Sequence, residues 1–147
     1  PPRLALLDRW EAQWRQGGDV VMAMLIGGEV VGGTGLHRRR GPHRLEIGYW
    51  VDADHIGKGL ATEAAAVLTT AALGCPGVTS VEIHHDKANI RSRRIPEHLG
   101  YGFTGERPDS IDAPGEIGID CAWQMRAETW SAAGHEGPGA SGGVGAS

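Results

Sequence analysis

Apolar positions along this chain follow two periods, and the switches between them mark its elements. Leu4, Leu7, Trp10 and Trp14 recur at helical spacing with charges between them, which predicts a helix over 3–16. Gly17 and Gly18 end it. Val20 to Ile26 is a nearly continuous apolar run and predicts a strand. Gly27-Gly28 then reads as a tight turn, returning Val30 to Leu36 as the antiparallel partner. In the next strand, Leu45 to Val51, one face carries Leu45, Ile47, Tyr49 and Val51, and the other Glu46, Gly48 and Trp50. Leu60 to Leu73 is rich in alanine and free of proline. Its Leu60, Ala64, Leu68 and Ala72 repeat every fourth residue, predicting a helix with a narrow, flat apolar stripe. Gly74 and Pro76 stop that helix.

Ser80 to His85 alternates as a strand, with Val81 and Ile83 on one face. A second helix is expected from Asn89 to Gly100. Two strands follow, Tyr101 to Gly105 and Glu116 to Met125, joined by a loop holding Pro108, Asp112 and Pro114. Consecutive early strands imply hairpins, and the strand–helix–strand unit from 45 to 85 implies a parallel pair. The expected fold is therefore α/β: a mixed, largely antiparallel sheet with helices on both faces. One domain over 1–130 and a disordered tail over 131–147 complete the expectation, since the chain from Gly134 onward is nearly all Gly, Ala and Ser.

Composition narrows the function classes. The 147 residues are 40% hydrophobic and 22% charged, as in an ordinary globular domain. A net charge of −4 argues against broad nucleic-acid binding, which needs a positive field. The basic cluster His37, Arg38, Arg39, Arg40, His43 and Arg44 is broken by Gly41-Pro42 and reads as a solvated hairpin loop. No apolar run reaches the ~18 residues needed to span a bilayer. Cys75 and Cys121 fit neither a disulfide framework nor a zinc site, so reduced thiols in the cytoplasm are expected. The chain opens at Pro1 without methionine and without a visible signal peptide, as though an upstream segment had been removed.

Gly57-Lys58-Gly59-Leu60-Ala61-Thr62 carries the chemistry. It follows a strand and opens a helix, whose first N–H groups and positive dipole end suit an anion. The alternative is a tight connection with no ligand. A P-loop fails because Asp52 stands where its first glycine belongs and Gly59 follows Lys58. A dinucleotide fingerprint fails because Ala61-Thr62 does not complete it.

The wider set of motifs is more specific. Glu46-Ile47-Gly48-Tyr49-Trp50-Val51, His55-Ile56-Gly57-Lys58-Gly59-Leu60-Ala61-Thr62-Glu63-Ala64, Asn89-x-x-Ser92 and Leu99-Gly100-Tyr101 occur in this order between residues 20 and 126. Together they resemble the GNAT superfamily, and within it the RimJ/RimL-like branch of ribosomal-protein N-terminal acetyltransferases. The resemblance implies the acyl-CoA N-acyltransferase fold, here lacking the first strand and helix that relatives place ahead of Val20. It implies acetyl-CoA as co-substrate and attack of a neutral primary amine on its thioester. The strand ending at Val51 would splay from its neighbour and pair with the pantetheine arm. Backbone amides of Gly57, Lys58, Gly59, Leu60, Ala61 and Thr62 would hold the pyrophosphate, with Asn89 and Ser92 beside the pantetheine and sulfur.

Glu46 is then the first candidate base and Glu82 the second, each needing a raised pKa; an ordinary strand carboxylate is the alternative for both. Ser92 is the candidate donor to the departing sulfur, or else a first-turn serine serving the backbone. Tyr101 could act as acid or pack in the core, and Trp50 could line the acceptor pocket or pack. Two departures stand out. Ile56 replaces the Arg or Gln usual before the loop's glycines, leaving Lys58 or His55 to supply charge. Pro96 replaces a tyrosine that in many relatives protonates the thiolate, and it predicts a kink at the Ser92 carbonyl. These departures support an alternative, a non-catalytic CoA-binding or regulatory module. His84 and His85 point to opposite faces, so no metal is expected. No nucleic acid or membrane partner is expected, but an open edge at the Val20 strand predicts a homodimer.

Overall fold

The computed structural model describes residues 19–38, 41–57 and 59–134. The helix expected over 3–16 lies outside them, as does the tail beyond Gly134. Strands β1 (Val20–Ile26), β2 (Glu29–His37) and β3 (Arg44–Val51) form an antiparallel meander. A single 3-10 turn, Ala53–His55, leads to helix α1 (Leu60–Leu73). Strand β4 (Ser80–Asp86), helix α2 (Ile90–Leu99), strands β5 (Gly102–Pro108) and β6 (Ile119–Arg126) and a short helix α3 (Ala127–Ala132) follow. The sheet order is β1-β2-β3-β4-β6-β5, and β3–β4 is its one parallel pair among the described residues. The mixed, largely antiparallel α/β sheet matches the expectation.

Register explains the core. Val20 stands opposite Leu36, Leu36 opposite Ile47, Ile47 opposite Ile83, and Ile83 opposite Trp123, with Phe103 beyond it. One apolar row therefore crosses all six strands on a single face, because strand side chains alternate with period two. Helix α1 covers it with Ala65, Leu68 and Ala72, whose small side chains let the helix lie close and flat. Ile95 of α2 and Trp130 of α3 join the same core.

Helix α3 is absent from the sequence reading. Six residues are too few to establish a period, yet Trp130 is buried and donates its indole N–H to Thr70 Oγ1 at 3.0 Å. Strand β5 runs on to Pro108, and β6 begins at Ile119 rather than Glu116. Residues 116–118 instead belong to a loop pinned by Asp86. Its carboxylate accepts N–H bonds from Ala88 (2.8 Å), Ile117 (3.1 Å) and Gly118 (3.0 Å). Burial pushes this carboxyl up, but the bonds from Ala88, Ile117, Gly118 and Ile119 outweigh it and hold it below the ordinary range.

A carboxyl depressed in the folded state stabilises the fold above its unfolded pKa, and that contribution disappears as pH falls through the folded value. Wild type should therefore exceed Asp86→Asn in urea midpoint at pH 7, with the gap closing as the pH drops below about 4. A gap that stays constant down to pH 2.5 would rule out the charge as the cause.

No helix among the described residues is long and apolar enough to cross a membrane.

Candidate active site

Strands β3 and β4 pair only from Arg44–Ile47 against Ser80–Ile83. Beyond that point β3 continues beside β2 to Val51, while β4 continues beside β6 to Asp86. The two therefore part, and a cleft of about 520 Å³ opens between β3, the start of α1 and the start of α2. Val51, Gly57, Gly59, Leu60, Ala61 and Thr62 line one end of it, and Asn89 and Ser92 the other. Lys58 lies outside the described residues.

The α1 end has the backbone features that an anion site uses. Gly57 and Gly59 have φ of +88° and +73°, a conformation that side chains resist and glycine adopts freely. Gly59 is the residue preceding α1, and no side chain caps the helix. Its first turn-closing bond runs from Glu63 N to Gly59 O at 3.0 Å. The N–H groups of Leu60, Ala61 and Thr62 thus precede any intrahelical acceptor, and these residues line the cleft. Apart from the chain neighbours, a Cβ at Gly57 or Gly59 would meet no described protein atom within 4 Å, so the space beside the turn is open.

The α2 end is capped differently. Asn89 Oδ1 accepts the Ser92 N–H at 3.1 Å, closing the first turn. The Asn-x-x-Ser spacing thus has a structural role in addition to its place on the cleft. Helix α2 runs through Pro96 to Leu99. Proline has no N–H for the Ser92 carbonyl, and that carbonyl instead accepts the Tyr49 hydroxyl at 3.2 Å. Sequence reasoning missed this pairing because the residues stand 43 positions apart.

The other tyrosine is committed elsewhere. Thr69 Oγ1 donates to Ala65 O at 2.6 Å, so its single proton is used and Tyr101 must donate to Thr69 at 2.5 Å. Tyr101 is a core residue, 5% exposed, and burial pushes its phenol up. It does not line the cleft, which removes it as an acid for chemistry there.

Glu46 and Glu82 stand on the opposite sheet face, paired in register. Both are buried, and neither lines the cleft. They meet at His84, whose Nε2 lies 2.8 Å from Glu82 Oε1 and 3.8 Å from Glu46 Oε1. Its Nδ1 lies 2.7 Å from Asp120 Oδ2. Arg44 and Arg107 close the cluster at 3.5 Å from Glu82 and 3.3 Å from Asp120. The ring of His85 points the other way. Trp123 Nε1 donates to His85 Nε2 at 2.9 Å, so His85 carries its proton on Nδ1 and donates it to Asp86 O. The two imidazoles are on separate faces, and among the described residues no three His, Cys, Asp or Glu side chains are arranged to hold a metal ion.

Trp50 shares the face of Glu46 but reaches the cleft rim. It is 59% exposed and lies over its cross-strand partner Gly33, where any Cβ would overlap the indole. The indole thus packs on the neighbouring strand at the surface rather than in the core. Ile56 also lines the rim, and His55 Nδ1 stands 3.6 Å from Asp52 Oδ2.

A mixed sheet with a parting central pair, and an uncapped glycine-led helix at the parting, defines the acyl-CoA N-acyltransferase class of fold. Residues 3–102 match the acetyltransferase (GNAT) domain, and the chain belongs to that family. It is 29% identical over 110 residues to YdaF of Bacillus subtilis (strain 168), provisionally named a ribosomal N-acetyltransferase. That match covers 74% of this chain and 60% of the relative. The chain thus spans less than two-thirds of that relative's length. Solved structures share the fold, among them two with bound coenzyme A species. RimJ of Mycobacterium smegmatis, in complex with CoA-disulfide, superposes with a TM-score of 0.64 at 22% identity, covering 86% of this chain and 66% of that one. The microcin C7 self-immunity acetyltransferase MccE, in complex with acetyl-CoA and AMP, superposes with a TM-score of 0.67 at 16% identity, covering 76% and 63%.

Proposed function

We propose that this chain transfers an acetyl group from acetyl-CoA to a primary amine, by direct attack of the amine on the thioester. The observation that carries this reading is the cleft at the β3–β4 parting, which opens onto the uncapped start of α1. In the proposed arrangement the backbone N–H groups of residues 57 to 62 take the pyrophosphate. The exposed edge of β3 up to Val51 hydrogen-bonds the pantetheine amides. Asn89 uses its side-chain oxygen for Ser92, leaving its NH2 to donate to the same arm. Ser92 is the proposed donor to the departing sulfur.

The amine is proposed to arrive on the side of Trp50, where Glu46 is the first candidate to accept its proton and Glu82 the second. Glu46 sits in the His84 cluster and not on the cleft wall, so proton transfer to it would pass through the opening between the strands. A protein N-terminus is the proposed acceptor, supported by the ribosomal acetyltransferase name of the curated relative. A cytoplasmic setting goes with that substrate.

Pro96 favours one second reading, a CoA-binding module without turnover, because it stands where many relatives carry their acid. A thermal melt with and without acetyl-CoA, followed by thiol release with peptide amines, separates the readings. At 100 times its dissociation constant acetyl-CoA should add about 2.7 kcal/mol of stability. An upward shift with thiol release is the expected result. A shift without release for any amine leaves the binding module, and no shift at millimolar acetyl-CoA removes both.

A further inference from the structure

We propose that Tyr49 is a positioning residue: its hydroxyl replaces the amide that Pro96 lacks, tethering the first turn of α2 to the splayed end of β3. The inference rests on the acetyl-CoA reading of the cleft, and it starts from a deficit. In a regular helix the Ser92 carbonyl accepts the N–H four residues on, but that residue is Pro96. Pro96 is buried and the helix runs through it, so the carbonyl needs another donor. Tyr49 provides one at 3.2 Å.

The position of Tyr49 makes this bond consequential. It lies on β3 beyond Ile47, the last residue paired with β4, where the strands have parted. Its hydroxyl therefore joins the two walls of the cleft directly, at the turn that holds Asn89 and Ser92. Burial pushes the phenol up, so it remains an O–H donor throughout the working pH range. Without the tether, the Ser92 carbonyl loses its hydroxyl donor and the walls lose this direct hydrogen bond.

The test is a double-mutant cycle of Tyr49→Phe and Pro96→Ala, with coenzyme A as the probe. In the proline background, Tyr49→Phe should weaken coenzyme A binding about tenfold, since without this part-buried bond only about a tenth of the molecules would hold the two walls in the binding arrangement. Alanine at 96 restores the missing N–H, so in that background the same change should weaken binding less than about threefold. The cycle subtracts the packing lost at each site alone. Ligand-free urea unfolding of the four proteins should display the same non-additivity. Additive effects in both measurements would overturn the proposal. So would equal coenzyme A affinities for wild type and Tyr49→Phe. A wild-type chain that fails to bind coenzyme A would instead remove the functional reading itself, a result visible before any variant is made.

Discussion

Gly59→Val should lose the acetyl-CoA thermal shift and at least about 100-fold in thiol release, while remaining folded. The expectation combines two properties of one position. Gly59 holds φ +73°, ψ 11°, where a branched side chain costs about 1–2 kcal/mol. Against a typical domain stability of about 5–15 kcal/mol, that loss leaves most molecules native. The second effect is spatial. Apart from Gly59 and its chain neighbours, no protein atom lies within 4 Å of the position a Cβ would take, so the new side chain would project into open space beside the start of α1. In the proposed arrangement the pyrophosphate takes that same space. Gly77 provides the control, since it shares the left-handed conformation (φ +83°) with equally open surroundings and does not line the cleft. Gly77→Val should cost similar stability and leave the acetyl-CoA shift intact. If both variants kept the shift, the amides of α1 would not be the anion site.

The largest stability effect is expected at Ile83. Truncation to alanine should cost about 2–5 kcal/mol, through lost apolar transfer and the cavity left behind. Ile83 is fully buried at the middle of the apolar row, between Ile47 and Trp123. It is also the last residue of β4 paired with β3, so the cavity would open where the strands begin to part. A fall in melting temperature of roughly 5–20 °C follows for a chain of this size. Val21 is the comparison: on edge strand β1 and 74% exposed, it should change stability by no more than about 0.5 kcal/mol on truncation to alanine. An Ile83→Ala loss below 1 kcal/mol would mean that the row is not the principal core.

Strands β3 and β4 were legible because their side chains alternate. The parity that puts Leu45, Ile47, Tyr49 and Val51 together is visible in the sequence, and it correctly separates them from Glu46 and Trp50. The glycine-led start of α1 was legible for a similar reason. A backbone turn of positive φ followed by an alanine-rich, proline-free run leaves few alternatives. Less was visible at the far end. Helix α3 spans under two turns, and its burial depends on Thr70 of α1 receiving the Trp130 N–H.

The site was legible as a set of segments but not as an arrangement. Ser92 and Asn89 could be assigned to the cleft, while Tyr101 could be read as acid or core until its bond to Thr69 decided it. Glu46 could be assigned to a face, but its place beside His84, Glu82 and Asp120 required four side chains from three strands to meet.

By itself, then, the sequence determined which residues are apolar, which face each strand residue takes and where the chain must turn, since these follow from local sterics and period. The tertiary structure decided how far β3 and β4 stay paired, which carbonyl receives the Tyr49 hydroxyl, and which carboxylates surround His84. Those outcomes depend on contacts between residues tens of positions apart, and such contacts exist only once the sheet register and helix packing have brought them within hydrogen-bond reach.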